Sequence, residues 1–226
     1  MYNMKNTLAL AFSLVALTLP ATAAHAATTV TVNTGAGALG TQDTAWTIDN
    51  TAAETTAWIP QAINTAWFSG GAPAGQNGNA DGARWITRTS DGNANEPAGL
   101  VNYSTVFTLA NFATAANLTA NFWSDNRVTS IFLNGISIYT NNSSASQFFT
   151  GSSLNQLVNL EAGENTLLFR VQNDPGSSGN PAGLRFAGVF SAVPEPGTWM
   201  LMMLGLGAVG FSMRRRQKTQ VRFQFA

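Results

Sequence analysis

Between residues 100 and 190 the apolar side chains recur at every second position, with no convincing three-to-four-residue period. Alternation sends successive side chains to opposite faces of an extended chain, so each run can bury one face only. Residues 100–109 set Tyr103, Thr105, Phe107 and Leu109 on one face, and residues 117–123 set Leu118, Ala120 and Phe122 against Thr119, Asn121 and Trp123. Residues 128–133 and 136–140 flank Asn134-Gly135. That dipeptide suits the two positive-φ positions of a type I′ hairpin turn. Residues 156–160 lead through the polar turn Glu161-Ala162-Gly163-Glu164-Asn165 into residues 166–172, with Leu167, Phe169 and Val171 on one face. Residues 182–190 close the series with Leu184, Phe186 and Phe190. Half-buried strands joined by Gly/Asn loops predict an all-β fold, an antiparallel β-sandwich of about eight to ten strands.

The first half is less periodic. Residues 28–33 alternate Thr and Val and read as a first strand, and residues 84–88 as another short one. Thr-Ala-Trp occurs three times, ending at Trp46, Trp58 and Trp67. The uneven spacing argues against a repeat architecture. Each tryptophan is instead expected to anchor a short strand in the core. Residues 34–40, 70–82 and 90–99 are rich in Gly, Ala, Asn and Pro and read as loops.

The two ends follow other rules. Lys5, the apolar run 8–19 and the small-x-small triplet Ala24-His25-Ala26 read as a secretory signal peptide, residues 1–26, cleaved after Ala26. At the other end stand Val193-Pro194-Glu195-Pro196-Gly197, an uncharged stretch, and Arg214, Arg215 and Arg216. The thirteen residues 199–211 make a helix of about 20 Å, short against a hydrocarbon core of about 30 Å. Residues 198–213 are expected to form a short transmembrane helix whose arginines snorkel and hold its inner end at the cytoplasmic face. Residues 217–226 follow as a basic cytoplasmic tail. Pro194-Glu195-Pro196 is expected to be extended, since proline disfavours helix in the residue before it.

This leaves residues 27–192 as one domain. Residues 27–193 carry five arginines, no lysine and ten carboxylates, a net charge of −5. Such a surface argues against binding nucleic acid. The chain has no cysteine, and its one histidine, His25, leaves with the signal peptide. Without His, Cys or Lys the domain cannot build a Ser-His-Asp triad, a thiol nucleophile, a Schiff base or a typical zinc site. Carboxylate pairs could hydrolyse glycosides, and Asp81/Asp91 or Asp125/Asp174 are the candidates, but they read as solvated turn residues. The expectation is a protein that is not an enzyme. Asp and Asn are frequent in the loops without an EF-hand pattern, so no cofactor is expected beyond a structural calcium. For sugar binding the candidates are Trp123, Asp125, Asn126 and Arg127, together at a strand end. Their competing roles are Trp123 in the core, Asn126 in a turn and Arg127 paired with Asp125.

Two resemblances extend this reading. The order of Pro194-Glu195-Pro196-Gly197, apolar helix and arginine cluster resembles the PEP-CTERM sorting signal of bacterial exported proteins. The resemblance implies processing by an exosortase, a membrane-embedded protease, passage through the inner membrane, and association with extracellular polysaccharide and biofilm at the cell surface or in the matrix. The run Ser124-Asp125-Asn126-Arg127-Val128…Phe132-Leu133-Asn134-Gly135, followed by Leu160-Glu161-Ala162-Gly163-Glu164-Asn165-Thr166-Leu167…Val171, resembles the end of a galactose-binding-like jelly roll. That resemblance implies a lectin-like carbohydrate-binding module as the alternative function.

Overall fold

The computed structural model describes residues 28–49, 55–68, 81–109, 114–176, 179–193 and 196–216. These form β1 (Thr29–Asn33), β2 (Thr41–Asp49), β3 (Thr55–Ile59), β4 (Ile86–Thr87), β5 (Gly99–Thr108), β6 (Ala115–Asp125), β7 (Arg127–Leu133), β8 (Ile136–Thr140), β9 (Ser152–Asn159), β10 (Glu164–Asn173), β11 (Gly183–Ala192) and α1 (Pro196–Arg216). Hydrogen bonds join the strands in the order β8-β7-β10-β5-β2-β3-β4-β11-β6-β9, with β1 added along β11. The ribbon doubles over. One sheet is β8-β7-β10-β5-β2, the other is β9-β6-β11 extended by β1 and β4, and β3 spans the corner between them. All these strand pairings are antiparallel. This is the antiparallel sandwich that the alternation predicts, in the jelly-roll form that the resemblance implies.

The alternation decides which side chains meet. Along β5, Val101, Tyr103, Thr105 and Phe107 are buried. Along β6 the buried row is Ala116, Leu118, Ala120 and Phe122, with Asn117, Thr119 and Asn121 exposed. Phe169 of β10 reaches across to Phe186 of β11 at 4.9 Å between ring centres and to Phe122 of β6 at 6.2 Å. Trp46 of β2 joins both, at 5.9 Å from Phe169 and 6.2 Å from Phe186. Buried aromatic rings of this size each contribute about 2–3 kcal/mol through area alone.

The tryptophan-rich stretch departs from expectation. Only Trp46 anchors a strand in the main core; Trp58 lies half-buried in β3, and Trp67 lies in no strand. β2 serves two neighbours. Thr41, Gln42 and Asp43 pair with β3 alone, Thr47 and Ile48 pair with β3 on one edge and β5 on the other, and the β3 register jumps from Asp43 to Thr47. The buried Asp43 carboxylate fixes this bulge by accepting the N–H groups of Gly35 (2.6 Å) and Ala45 (3.1 Å). The expected strand over residues 84–88 shrinks to β4, and β9 starts earlier than expected, at Ser152. The signal peptide at 1–26, most of the loop at 70–82 and the tail at 217–226 lie outside the described residues.

The Asn134-Gly135 turn is type I′, with φ of 51° and 78°. Asn134 also ties the hairpin to β10. Its Nδ2 donates to Asn165 Oδ1 and its Oδ1 accepts the Thr166 N–H, both at 2.8 Å. A Cβ at Gly135 meets nothing within 4 Å, so the cost of a side chain there is conformational. Gly135→Val is expected to destabilise the domain by about 1–3 kcal/mol through positive φ alone. Asn134→Val should cost more than Asn134→Gly, which keeps the conformation and loses only the two bonds. Urea unfolding of the three variants checks this ordering, and equal stability for all would contradict the assigned turn.

Candidate functional site

Trp123, Asp125, Asn126 and Arg127 do come together, where β6 turns into β7. Strand alternation points Trp123 and Asp125 away from the main core, since Phe122 and Ser124 point inward. Residues 60–68 cover this outer face. Ile63, Trp67 and Trp85 form a separate buried cluster with Trp123 and Phe148 packed against it. Trp67 stacks on Trp85 at 4.2 Å, and Trp123 stacks nearly parallel on Phe68 at 4.5 Å. A Cβ on Gly183 would lie 2.8 Å from the Trp67 ring, so the indole rests directly on β11 backbone.

Each candidate already has a structural partner. Asp125 accepts the Trp67 indole N–H at 2.7 Å. Asn126 accepts the Asp174 N–H at 2.6 Å and donates its own N–H to Gln172 at 2.9 Å. Arg127 pairs with Asp174 and not, as the sequence suggested, with Asp125. The reason is direction: Asp125 is drawn under Trp67. Trp123 is neither in the main core nor open as a sugar platform; one ring face carries Phe68, and the Arg185 guanidinium lies 4.4 Å from its centre.

Arg185 is the buried charge in this corner that sequence reasoning missed. It is 1% exposed, paired through Nη2 with both oxygens of Asp81 (2.7 and 2.8 Å). Burial pushes its pKa below the usual arginine range, against the bond and charge of Asp81, which raise it. Its outward position in β11 signals exposure; only the packing of residues 60–68 buries it. Gln147 is similar, accepting the Val128 N–H and donating to Tyr139 and Ser152. The carboxylate pairs considered for glycoside hydrolysis are engaged elsewhere. Asp81 holds Arg185, Asp174 holds Arg127, and Asp91 accepts the Asn93 N–H. Among the described residues no three His, Cys, Asp or Glu side chains gather as metal ligands.

The second candidate region begins where the sandwich ends. β11 stops at Ala192 and α1 starts at Pro196, with Pro194 and Glu195 outside the described residues. Pro196 is therefore helical, not extended, because its missing N–H is not needed in the first turn. The helix runs from Pro196 to Arg216, and side chains from Trp199 to Met213 that are large and apolar are exposed. The expected transmembrane helix 198–213 is thus present as a helix. Among the described residues, however, no helix is long and apolar enough to cross a membrane.

Residues 192–216 match the PEP-CTERM protein-sorting motif. No curated protein matches the chain. Among solved structures, a family 35 carbohydrate binding module from Clostridium thermocellum is similar at 15% identity, over 72% of this chain and 99% of that one, with a TM-score of 0.34. CBM35 from Paenibacillus barcinonensis is similar at 12% identity, over 73% and 99%, with a TM-score of 0.34. The Podospora anserina GH26-CBM35 beta-(1,4)-mannanase is similar at 13% identity, over 76% and 29%, with a TM-score of 0.33. Scores this low carry no argument about ligand or chemistry.

The buried corner predicts a pH dependence. Burial pushes the Asp125 carboxyl from 3.8 up to about 6; the bond from Trp67 lowers it and the Asp174 carboxylate raises it. The folded protein therefore holds this proton more tightly than the unfolded chain. The stabilisation is complete below about pH 4 and is lost as pH rises through about 6. Asp125→Asn keeps an acceptor for Trp67 and removes the titration. Thermal melts from pH 4 to 7.5 should show wild type losing stability relative to Asp125→Asn across that window. Parallel curves would mean that Asp125 is not buried as described.

Proposed function

We propose that this is an exported, non-catalytic protein of the cell surface or extracellular matrix, delivered by an exosortase-type membrane protease and associated with extracellular polysaccharide. The observation that carries the proposal is the motif match at residues 192–216, which starts on the last residue of β11. The sorting segment therefore follows the sandwich directly, and the protease acts beside a folded, rigid body. α1 supports a transient engagement with the inner membrane. Its apolar stretch is short, and Arg214, Arg215 and Arg216 set its inner end by the positive-inside rule. Pro194-Glu195-Pro196 then falls near the outer interface, within reach of an embedded enzyme. Support for a non-catalytic role is the absence of His, Cys and Lys from residues 27–193 and the engagement of the candidate carboxylates in structural pairs.

A second reading, a carbohydrate-binding module, is favoured by one feature, an uncharged cleft at the open edge of the sandwich.

The test is fractionation of cells with an antibody to the sandwich, joined to mass spectrometry of the released form. Wild type should be recovered outside the membrane fraction without its C-terminal helix. Glu195→Ala should remain in the membrane fraction at full precursor mass. Replacement of all three arginines with glutamine should weaken retention of the precursor. Release of Glu195→Ala at the wild-type mass and yield would rule out the sorting-signal reading.

A further inference from the structure

The bulge in β2 has left an opening. Beyond Thr105, β5 pairs only with β10, because β2 before Trp46 pairs with β3 alone. β1 pairs only with β11. Two strand edges without a neighbour among the described residues therefore border the same side of the sandwich. Between them lies a cleft of about 420 Å³, bordered by Thr31 and Asn33 of β1, Trp46 of β2, Thr105 and Phe107 of β5, and Ala36. That volume falls within the range of about 300–1,000 Å³ typical of small-ligand sites.

Three properties of the cleft point to one ligand chemistry. None of its lining residues carries a charge, in a domain whose net charge is −5. Its open wall combines the exposed apolar side chain of Val106 with hydroxyl and amide groups, over a buried floor of Val32, Trp46 and Phe107, a mixture that suits the C–H faces and hydroxyls of a sugar ring. Thr105 is the third property. It belongs to the inward row of β5, where Tyr103 and Phe107 are its neighbours, and is 5% exposed. Its hydroxyl takes part in no side-chain hydrogen bond among the described residues, nor does that of Thr31. The hydroxyl is not fully enclosed, so it opens onto the cleft, where valine, of the same shape, would offer an entering ligand no bond. A threonine here is explained by a partner that enters the cleft.

We propose that the cleft between β1 and β5 binds a short stretch of an uncharged glycan, with the sugar set over the exposed Val106 side chain and its hydroxyls bonded to Thr31, Thr105 and the open strand edges. This rests on the carbohydrate-binding reading and assigns it a place away from Trp123, Asp125, Asn126 and Arg127. An uncharged lining gives an acidic polysaccharide no cationic partner, so the ligand class is neutral.

The experiment is retardation of the full-length protein, in mild detergent, in native gels cast with a neutral glucan, a neutral galactomannan or polygalacturonate. Retardation is expected in at least one neutral gel and not in polygalacturonate. Ala36→Trp, at the exposed rim, should weaken it at least about tenfold by filling the entrance. Thr105→Val should weaken it about three- to tenfold while leaving the melting temperature equal or higher. Thr31→Ala, on the surface, provides a second hydroxyl deletion that leaves the core untouched. No retardation in either neutral gel, retardation only by polygalacturonate, or neutral retardation unchanged in Ala36→Trp would each overturn the proposal. The first two outcomes count against neutral-glycan binding as such, and the third against this site alone. None of them alters the processing phenotype of Glu195→Ala, which tests the sorting reading separately.

Discussion

The sandwich depends on an aromatic seam between its two sheets. Trp46, Phe122, Phe169 and Phe186 come from β2, β6, β10 and β11, strands far apart in the chain, and all are completely buried. The chain has no cysteine, so no disulfide limits the entropy of the unfolded state. Stability must come from area removed from water and from close packing. The seam also fixes how the ribbon doubles over. Each ring meets partners from the opposite sheet, so a one-residue slip in any of these strands would turn its ring outward.

What happens outside the seam follows from where the alternation is interrupted. At residues 44–46 the β2–β3 ladder skips, Asp43 secures the displaced backbone, and β2 pairs with β5 only from Trp46 onward while keeping β3 on its other edge. That interruption brings Trp46 into the core and opens the edge beside β1 and β5. At the opposite side, residues 60–68 run across the outer face of β6 and β11 and build a second, smaller cluster. There Asp125, Trp123 and Arg185, outward-facing by position, become buried. Their contacts with Trp67, Phe68 and Asp81 hold the corner together, while Trp123 Nε1 and the Nε and Nη1 of Arg185 stay buried without a hydrogen-bond partner.

The C-terminal segment works on different physics. The sandwich buries its apolar side chains, whereas α1 exposes them along the helix from Trp199 to Met213. Nothing in such a helix is stabilised by the sandwich, so its chemistry lies in a linear order of proline, carboxylate, apolar stretch and arginines. That order is meaningful only against a lipid boundary and a processing enzyme.

This contrast sets what could be read from the sequence. Period-two alternation in residues 100–190 determined β5, β6, β7, β8, β10 and β11, because a half-buried strand needs nothing beyond its own pattern to choose its faces. Asn134-Gly135 determined its turn for the same local reason, and the sorting segment was legible because it is linear. The tertiary structure alone decided the rest. The three Thr-Ala-Trp triplets look alike, yet Trp46 enters the main core, Trp58 is half-buried and Trp67 caps Asp125. Arg127 could have met Asp125 or Asp174, and burial of Asp125 under an indole settled it for Asp174. Arg185 reads as a solvent-facing arginine until a distant segment closes over it. In each case the deciding contact joins residues tens of positions apart, and no local pattern encodes which of several chemically adequate partners the packed core leaves within reach.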